Sequence, residues 1–250
     1  MSDWTDHHCH LPDDGAEALV EEAARSGVTR LVDVGCDLES SRAALARARR
    51  IEGVWATAGV HPHEASGGID GIAGLLSDPS IVAVGECGLD YHYMHSPKDA
   101  QREAFAAQIQ LALDRDLPLV IHSREAWDDT FEVLESTGVP PRTVFHCFTG
   151  GPDEARRCLD VGALLSFSGI VSFPSAPEVR EAARLCPADR YLVETDSPYL
   201  APAPYRGKRN RPALVARVGE VVAEVRGERP DDVARQTSST AAAFYRFGER

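Results

Sequence analysis

Apolar residues along this chain alternate between short runs typical of buried strands and longer stretches with helical spacing. The strand-like runs lie near residues 4–9, 29–35, 54–60, 81–86, 117–122, 142–147, 163–168 and 190–195. A helical pattern follows each run except the third, which is followed by a loop-rich stretch. Eight strands alternating with helices indicate a parallel sheet, and eight is the number that closes such a sheet into a barrel. We therefore predict an α/β fold, a TIM (β/α)8 barrel in which residues 1–250 form a single domain.

Several of the predicted helices carry end signals. The first, near residues 14–26, ends at Gly27. Ser96 followed by Pro97 is typical of a helix N-terminus. The tail from Pro230 to Tyr245 also has a helical pattern, and we expect it to close the lower side of the barrel.

Side chains that could bind a metal ion lie at the ends of separate predicted strands. They are His8, His10, Glu86, His122, His146 and Asp196. Ligands this far apart in sequence can share a metal only if their strands run side by side in one direction. A closed parallel barrel does this, because all its strand ends meet at one rim. His8 and His10 share a strand face, and Asp6 stands one step behind them in a supporting position. The pattern predicts a metal-dependent enzyme.

Other polar residues near the strand ends leave alternatives open. Asp90 could belong to the site or be a simple turn residue, and Glu194 could support a ligand or form a deeper salt bridge. His61 and His63 form a second His-x-His at the end of the third strand. We expect them to contact the substrate or to hold an extra metal in some states. Strand alternation predicts that His7 faces away from the site and is incidental.

Composition is ordinary for a soluble globular protein, with 26% charged and 43% hydrophobic residues. No apolar run approaches the ~20 residues that a membrane span needs, and the first six residues do not resemble a secretory signal. We therefore expect a cytoplasmic protein with no membrane partner. The six cysteines include no Cys-x-x-Cys pair, so we expect free, packed thiols. Cys9, Cys87 and Cys147, which adjoin proposed ligands, are expected to point outward beneath the helices.

The net charge of −13 repels phosphate backbones and argues against a protein that coats nucleic acid nonspecifically. It does not argue against a nuclease, because divalent cations reverse the local charge of a carboxylate-rich site. The loop 205–211 is basic and contains Arg206, Lys208 and Arg209. These residues could contact phosphate or belong to a solvated loop. Arg124 could likewise contact phosphate or form a structural ion pair.

Taken in order, the motifs resemble those of the TatD family of metal-dependent hydrolases, often called TatD deoxyribonucleases, over essentially the whole chain. The motifs span residues 6–11, 59–63, 85–91, 122–124, 146–148, 194–200 and 205–210. The departures from the usual family pattern, Pro12, Cys87 and Thr240, touch none of the proposed ligands. The resemblance implies that His8, His10, Glu86 and Asp196 hold a first metal. It implies that Glu86, His122 and His146 hold a second.

The resemblance also implies a hydrolase of phosphodiester bonds, a deoxyribonuclease and 3'-5' exonuclease, with DNA as substrate. Two divalent ions sharing Glu86 would activate a water, with Asp196 orienting it and accepting its proton. Mg, Mn and Zn all suit these ligands. We expect the protein to be a monomer.

Two other enzyme classes share this barrel. An amidohydrolase would usually carry a carboxylated lysine where this chain has Glu86, and an aminoacyl-ester hydrolase could act on mischarged tRNA. A non-catalytic metal-binding module is the alternative of another class, and the loss of a ligand would favour it.

Overall fold

The computed structural model describes residues 3–248 and contains eight strands that are hydrogen-bonded in parallel in chain order. They are β1 (Trp4–Cys9), β2 (Val28–Asp33), β3 (Val54–Ala58), β4 (Ile81–Asp90), β5 (Leu119–Arg124), β6 (Thr143–Phe145), β7 (Leu164–Phe167) and β8 (Tyr191–Val193). The predicted barrel fold is therefore confirmed. Boundaries differ by a few residues. The largest differences are that β4 continues to Asp90, and that β6 and β8 end before His146 and Asp196.

Helices lie between the strands and after the last one. Within residues 3–248 they are α1 (Ala16–Arg25), α2 (Leu38–Arg50), α3 (Ile72–Leu75), α4 (Lys98–Arg115), α5 (Trp127–Thr137), α6 (Pro152–Asp160), α7 (Pro177–Leu185), α8 (Val215–Arg226) and α9 (Pro230–Tyr245). The loop-rich stretch after β3 contains a 3-10 helix over Pro62–Gly67. None of the helices in this part of the chain is both long and apolar enough to cross a bilayer.

The barrel closes where the segment after β8 returns to β1. The backbone N–H of Asp196 donates to the carbonyl of His8 over 2.9 Å, and the N–H of His10 donates to the carbonyl of Ser197 over 2.8 Å. Cys9 and Ser197 form a parallel bridge between these segments. Closure therefore brings the first and last ligand-bearing segments side by side.

Helix α9 closes the lower end of the barrel, as the sequence predicts. Phe244 and Tyr245 at its end belong to the same buried cluster as Val82, Val120 and Leu192, which lie on three strands. A second, larger cluster lies between the strands and the surrounding helices. The two clusters leave the polar side chains at the carboxyl ends of the strands.

The expectation that His7 is incidental, which rested on strand alternation, is wrong. Strand β1 carries an extra residue relative to β2 between Asp6 and Cys9, so the alternation breaks there. His7 is consequently buried in the core, where its two ring nitrogens contact the side chains of Tyr245 and Ser166.

The cysteine prediction holds in part. All six thiols are free. Cys9 and Cys87 pack in the outer core cluster beneath the helices. Cys147 is only half-buried, and its Sγ lies 3.3 Å from the hydroxyl of Ser168. It does not follow strand alternation because β6 has already ended at Phe145 and Cys147 has a φ of +43°.

Close packing of α8 on β1 generates a stability prediction. A β-carbon on Gly219 of α8 would overlap the six-membered ring of the buried Trp4 side chain. We expect Gly219→Ala to lower the free energy of unfolding by about 1–3 kcal/mol through overpacking, measured by chemical denaturation. Gly74→Ala is the matched control, because a β-carbon there meets no atom within 4 Å and alanine favours the helix. Equal stability of the two variants would contradict this packing.

Candidate metal centre

The candidate ligands form a cluster at the carboxyl ends of the strands. The carboxylate of Glu86 lies at the middle of this ligand cluster and is almost completely buried. Its Oε1 is 2.7 Å from Nε2 of His146, 3.1 Å from Nδ1 of His122 and 3.5 Å from Nε2 of His61. Its Oε2 is 3.3 Å from Nε2 of His8. Burial opposes the charged form, but the surrounding imidazoles, His146 and His61 foremost, outweigh it and hold the pKa of Glu86 well below its usual range. The structure thus brings a buried carboxylate and four imidazoles together.

Two glycines allow Glu86 to occupy this position. Gly85 has a φ of +133°, a conformation that favours glycine. A β-carbon on Gly59, which follows β3, would come within 2.5 Å of the Gly85 backbone. The register between β4 and β5 also shifts between Val84 and Cys87. Local irregularity of β4 therefore directs Glu86 toward the ligands from other strands.

Asp196 and the two histidines of β1 form the other side of the cluster. Oδ1 of Asp196 lies 3.5 Å from Nε2 of His10 and 3.9 Å from Nε2 of His8. Asp6 supports this side from behind, as predicted. Its carboxylate accepts hydrogen bonds from the backbone N–H and the hydroxyl of Thr195, over 2.8 and 2.5 Å, although burial raises the pKa of Asp6 to about 8.

The donor set fits divalent cations. Four overlapping groups place their possible ligand atoms within 4.8 Å of one another: His8, Glu86 and His146; His8, His10 and Asp196; His10, Cys36 and Glu86; and His61, Glu86 and His122. The side chain of His8 is completely buried, yet neither of its ring nitrogens has a hydrogen-bond partner. Burial, with His146 nearby, lowers the pKa of His8 to about 4, so its imidazole is neutral at pH 7. A neutral, unpartnered imidazole beside carboxylates is the form that binds a metal.

Glu194 holds the base of the cluster. Its Oε1 lies 3.3 Å from Nδ1 of His146, and its Oε2 lies 2.9 Å from Nε2 of His7. The hydroxyl of Ser166 donates to the same Oε2 over 2.5 Å. Both alternatives raised for Glu194 therefore apply, since one carboxylate supports a candidate ligand and also pairs with a deeper side chain. His146 in turn stacks on His8, with ring centres 3.8 Å apart.

Asp90 also combines the two roles considered for it. Its Oδ2 lies 3.1 Å from Nε2 of His122 and 3.3 Å from Nε2 of His63. Its Oδ1 accepts hydrogen bonds from the backbone N–H groups of His92 and Tyr93. Asp90 therefore shapes the turn after β4 and orients His122 toward Glu86. His63 lies one step farther from the centre than His61, which contacts Glu86 directly.

Cys36 is a residue of the site that sequence reasoning missed. Its Sγ lies 3.9 Å from Nδ1 of His10 and 3.8 Å from Oε2 of Glu86. It lies three residues after the end of β2, as Asp196 lies three residues after the end of β8. The strand-end rule would have found it if it had been applied to the second strand.

The basic side chains predicted to contact substrate lie outside this cluster. Arg206, Lys208 and Arg209 are exposed. Arg209 lines a cleft of about 450 Å³ that also contacts His10. Arg211, in the same loop, is tied to α1 through an ion pair of 2.8 Å with Glu22.

Arg124 does not form the ion pair considered as an alternative. Among residues 3–248 it has no carboxylate partner, and its guanidinium group lies 4.8 Å from the ring centre of Tyr93. Its charge is therefore available to an anionic ligand.

Comparison with known proteins identifies the family of the chain. A sequence model of the family described as TatD related DNase matches residues 5–246. The chain belongs to this family. It is 41% identical to a Mycobacterium tuberculosis protein named "Uncharacterized metal-dependent hydrolase TatD", across 97% of this chain and 98% of that protein. It is 38% identical to the "3'-5' ssDNA/RNA exonuclease TatD" of Erwinia billingiae, across 92% and 93%.

The fold agrees with this assignment. The crystal structure of the TatD homolog YJJV from Escherichia coli superposes with a TM-score of 0.91 at 29% identity, and the match covers 97% of this chain and 98% of that one. The family match over residues 5–246 includes every candidate ligand.

The support that Glu194 gives to His146 leads to a prediction about metal affinity. Glu194→Gln keeps the size of the side chain but removes the charge that orients His146. Loss of such a partner typically weakens metal binding about 10- to 100-fold. We expect this decrease for Mn²⁺, measured by isothermal titration calorimetry.

Glu220→Gln is the control, since Glu220 on α8 is half-exposed and pairs with Arg217 at the surface. Unchanged Mn²⁺ affinity in a correctly folded Glu194→Gln variant would limit Glu194 to a packing role.

Proposed function

We propose that this protein is a divalent-metal-dependent 3'-5' exodeoxyribonuclease that hydrolyses phosphodiester bonds of DNA. The observation that carries the proposal is the convergence of four imidazoles on the buried Glu86 carboxylate, with Asp196 beside them at the end of the last strand. Membership of the TatD-related DNase family and the exonuclease name of a relative support the same reaction.

In this proposal the centre holds two divalent cations, Mg, Mn or Zn. The residues that would hold the first are His8, His10, Glu86 and Asp196. Those that would hold the second are Glu86, His122 and His146. When bound, the cations would supply an activated water and offset the charge of the attacked phosphate.

Asp196 is the residue that we assign to proton transfer. Its side chain is 14% exposed, whereas that of Glu86 is 4% exposed, so a water at the centre can reach Asp196 more easily. The backbone of Asp196 is held by its hydrogen bond to His8, which fixes the carboxylate beside His10. Asp196 would orient the attacking water and accept its proton, while Glu86 stays ionised between the two ligand sets.

Cationic side chains around the centre would bind the DNA backbone. Arg209 lies in the cleft beside His10, and Arg124 lies next to Tyr93 after β5. In this proposal both would contact a phosphate bound at the centre. Arg206 and Lys208 lie in the exposed loop beyond Arg209 and would contact phosphates farther along the strand.

The role of Asp196 can be tested by substitution. Asp196→Asn keeps the shape of the side chain but cannot accept the proton, and general-base loss typically costs about 10²- to 10⁴-fold in rate. We expect kcat on single-stranded DNA to fall by at least about 10²-fold. Metal content is measured in the same samples. Asp160→Asn, on the exposed end of α6, serves as the control. Full phosphodiesterase activity of Asp196→Asn would exclude the assigned role.

Metal removal and substrate comparison test the reaction itself. Chelator-treated protein should lose turnover of single-stranded DNA, and Mn²⁺ or Mg²⁺ should restore it. The same samples are given an aminoacyl ester, which an ester hydrolase of this family would cleave instead. Turnover of the ester alone would replace the proposed substrate. Metal binding without turnover of either compound would favour a non-catalytic module.

A further inference from the structure

Large apolar side chains are exposed at one end of the barrel only. Among residues 3–248, those with a large exposed fraction are Tyr93 (52%), Met94 (41%) and Tyr199 (62%). Tyr93 and Met94 follow β4, and Tyr199 follows β8, so all of them lie in loops at the carboxyl ends of strands. Exposed aromatic rings that cluster around a polar centre indicate a binding surface.

The ring of Tyr199 is exposed although its backbone is rigidly held. Its N–H donates to the carbonyl of Asp196 over 2.9 Å. Its own carbonyl accepts a hydrogen bond of 2.6 Å from the side chain of Asn210, which is buried. The ring centre lies 6.2 Å from that of His10. Tyr199 therefore presents an exposed ring beside a candidate metal ligand from a backbone that is held in place.

A cleft lies beside Pro198, the residue before Tyr199, although the Tyr199 side chain does not line it. It has a volume of about 450 Å³, and His10, Pro12, Ser197, Pro198 and Arg209 contribute to its walls. Small-molecule sites generally have volumes of about 300–1,000 Å³, so the cleft has room for a nucleotide. Its walls carry both charges: Arg209 and Arg211 are basic, Asp14 and Glu22 are acidic, and Glu22 is paired with Arg211.

Tyr93 lies on the opposite side of the centre. Strands β4 and β8 are four positions apart in an eight-stranded barrel, so the loops that follow them face each other across its rim. The ring of Tyr93 lies 5.5 Å from the ring of His63. The guanidinium group of Arg124 lies 4.8 Å from the Tyr93 ring centre, which places a cation beside this aromatic surface.

We propose that Tyr199 and Tyr93 stack on nucleobases of an unpaired strand, on the two sides of the attacked phosphate. This inference rests on the proposed function. Bases in a duplex are already stacked and paired, whereas an unpaired strand offers their faces to aromatic side chains. The two rings recognise the base, while Arg209 and Arg124 contact the phosphates next to it.

The experiment compares Tyr199→Ala, Tyr93→Ala and the ring-preserving Tyr199→Trp in the metal-loaded enzyme. Stacking of one base is worth enough to change affinity about 5- to 100-fold. We expect each alanine variant to raise KM for a single-stranded oligonucleotide by at least about fivefold with little change in kcat, and Tyr199→Trp to keep the original KM. Met94→Ala is the matched control, because Met94 is also exposed beside Tyr93 but offers no ring.

Oligonucleotides with a single abasic nucleotide near the 3' end show whether a base is the partner. An abasic nucleotide at the contacted position should raise KM of the unsubstituted enzyme, and should have no further effect in Tyr199→Ala, because the contact is already lost. A merely structural role of Tyr199 would instead give additive effects. Binding of a phosphorothioate oligonucleotide, followed by fluorescence anisotropy, gives a measurement that does not depend on hydrolysis.

The outcomes separate this inference from the proposed function. DNA turnover with unchanged KM and oligonucleotide affinity in both alanine variants would overturn the stacking inference alone. An unsubstituted enzyme that binds single-stranded oligonucleotides through the two tyrosines but does not hydrolyse them would overturn the proposed reaction alone. Failure of the unsubstituted enzyme to bind single strands would overturn both.

Discussion

The interaction on which the site depends is the contact of the Glu86 carboxylate with imidazoles from different strands. A buried carboxylate is costly unless cations or hydrogen-bond donors surround it. Here His122 lies on β5 and His146 follows β6, so the charge of Glu86 on β4 can be compensated only when these strands lie side by side. The candidate ligands consequently come together only when the barrel is folded.

Beneath Glu86, a layer of hydrogen bonds connects the centre to the rest of the core. Glu194 links His146 above it to His7 below, and His7 contacts Tyr245 at the end of the last helix. The helix that seals the lower end of the barrel therefore reaches the candidate ligands through two intervening side chains. Such buried polar groups are stable only when each has a partner. The arrangement of the candidate ligands is thus coupled to the packing of the barrel, and we expect substitutions in this layer to affect both.

Most of the fold and the candidate ligands could be predicted because they follow from regular periodicity. Apolar runs locate the strands, and parallel closure places whatever follows them at one rim, as it does for His122 and Asp196. The predictions failed where the backbone departs from regularity. The extra residue in β1 turns His7 into the core, and the short β6 frees Cys147 from strand alternation. Cys36 was not predicted as a site residue because the sequence pattern indicates packing roles for the cysteines. The exposure of a loop side chain could not be predicted from the sequence, because it depends on contacts with residues elsewhere in the chain. The hydrogen bond from Asn210 to the Tyr199 backbone is an example.

The acidic character of the chain bears on how it could bind nucleic acid at all. Proteins usually gain much of this affinity from basic surfaces, but the net charge here is −13, and the centre itself carries carboxylates. Bound cations would reverse the charge locally, yet their influence falls off within about 10 Å in physiological salt. Affinity for nucleotides beyond the centre would then rest on a few basic side chains, such as Arg206 and Lys208, and on interactions that do not depend on charge. Stacking on aromatic rings does not depend on charge, and Tyr199 and Tyr93 provide exposed rings for it. An acidic barrel with exposed rings at its rim is consistent with selection for unpaired bases rather than for backbone charge.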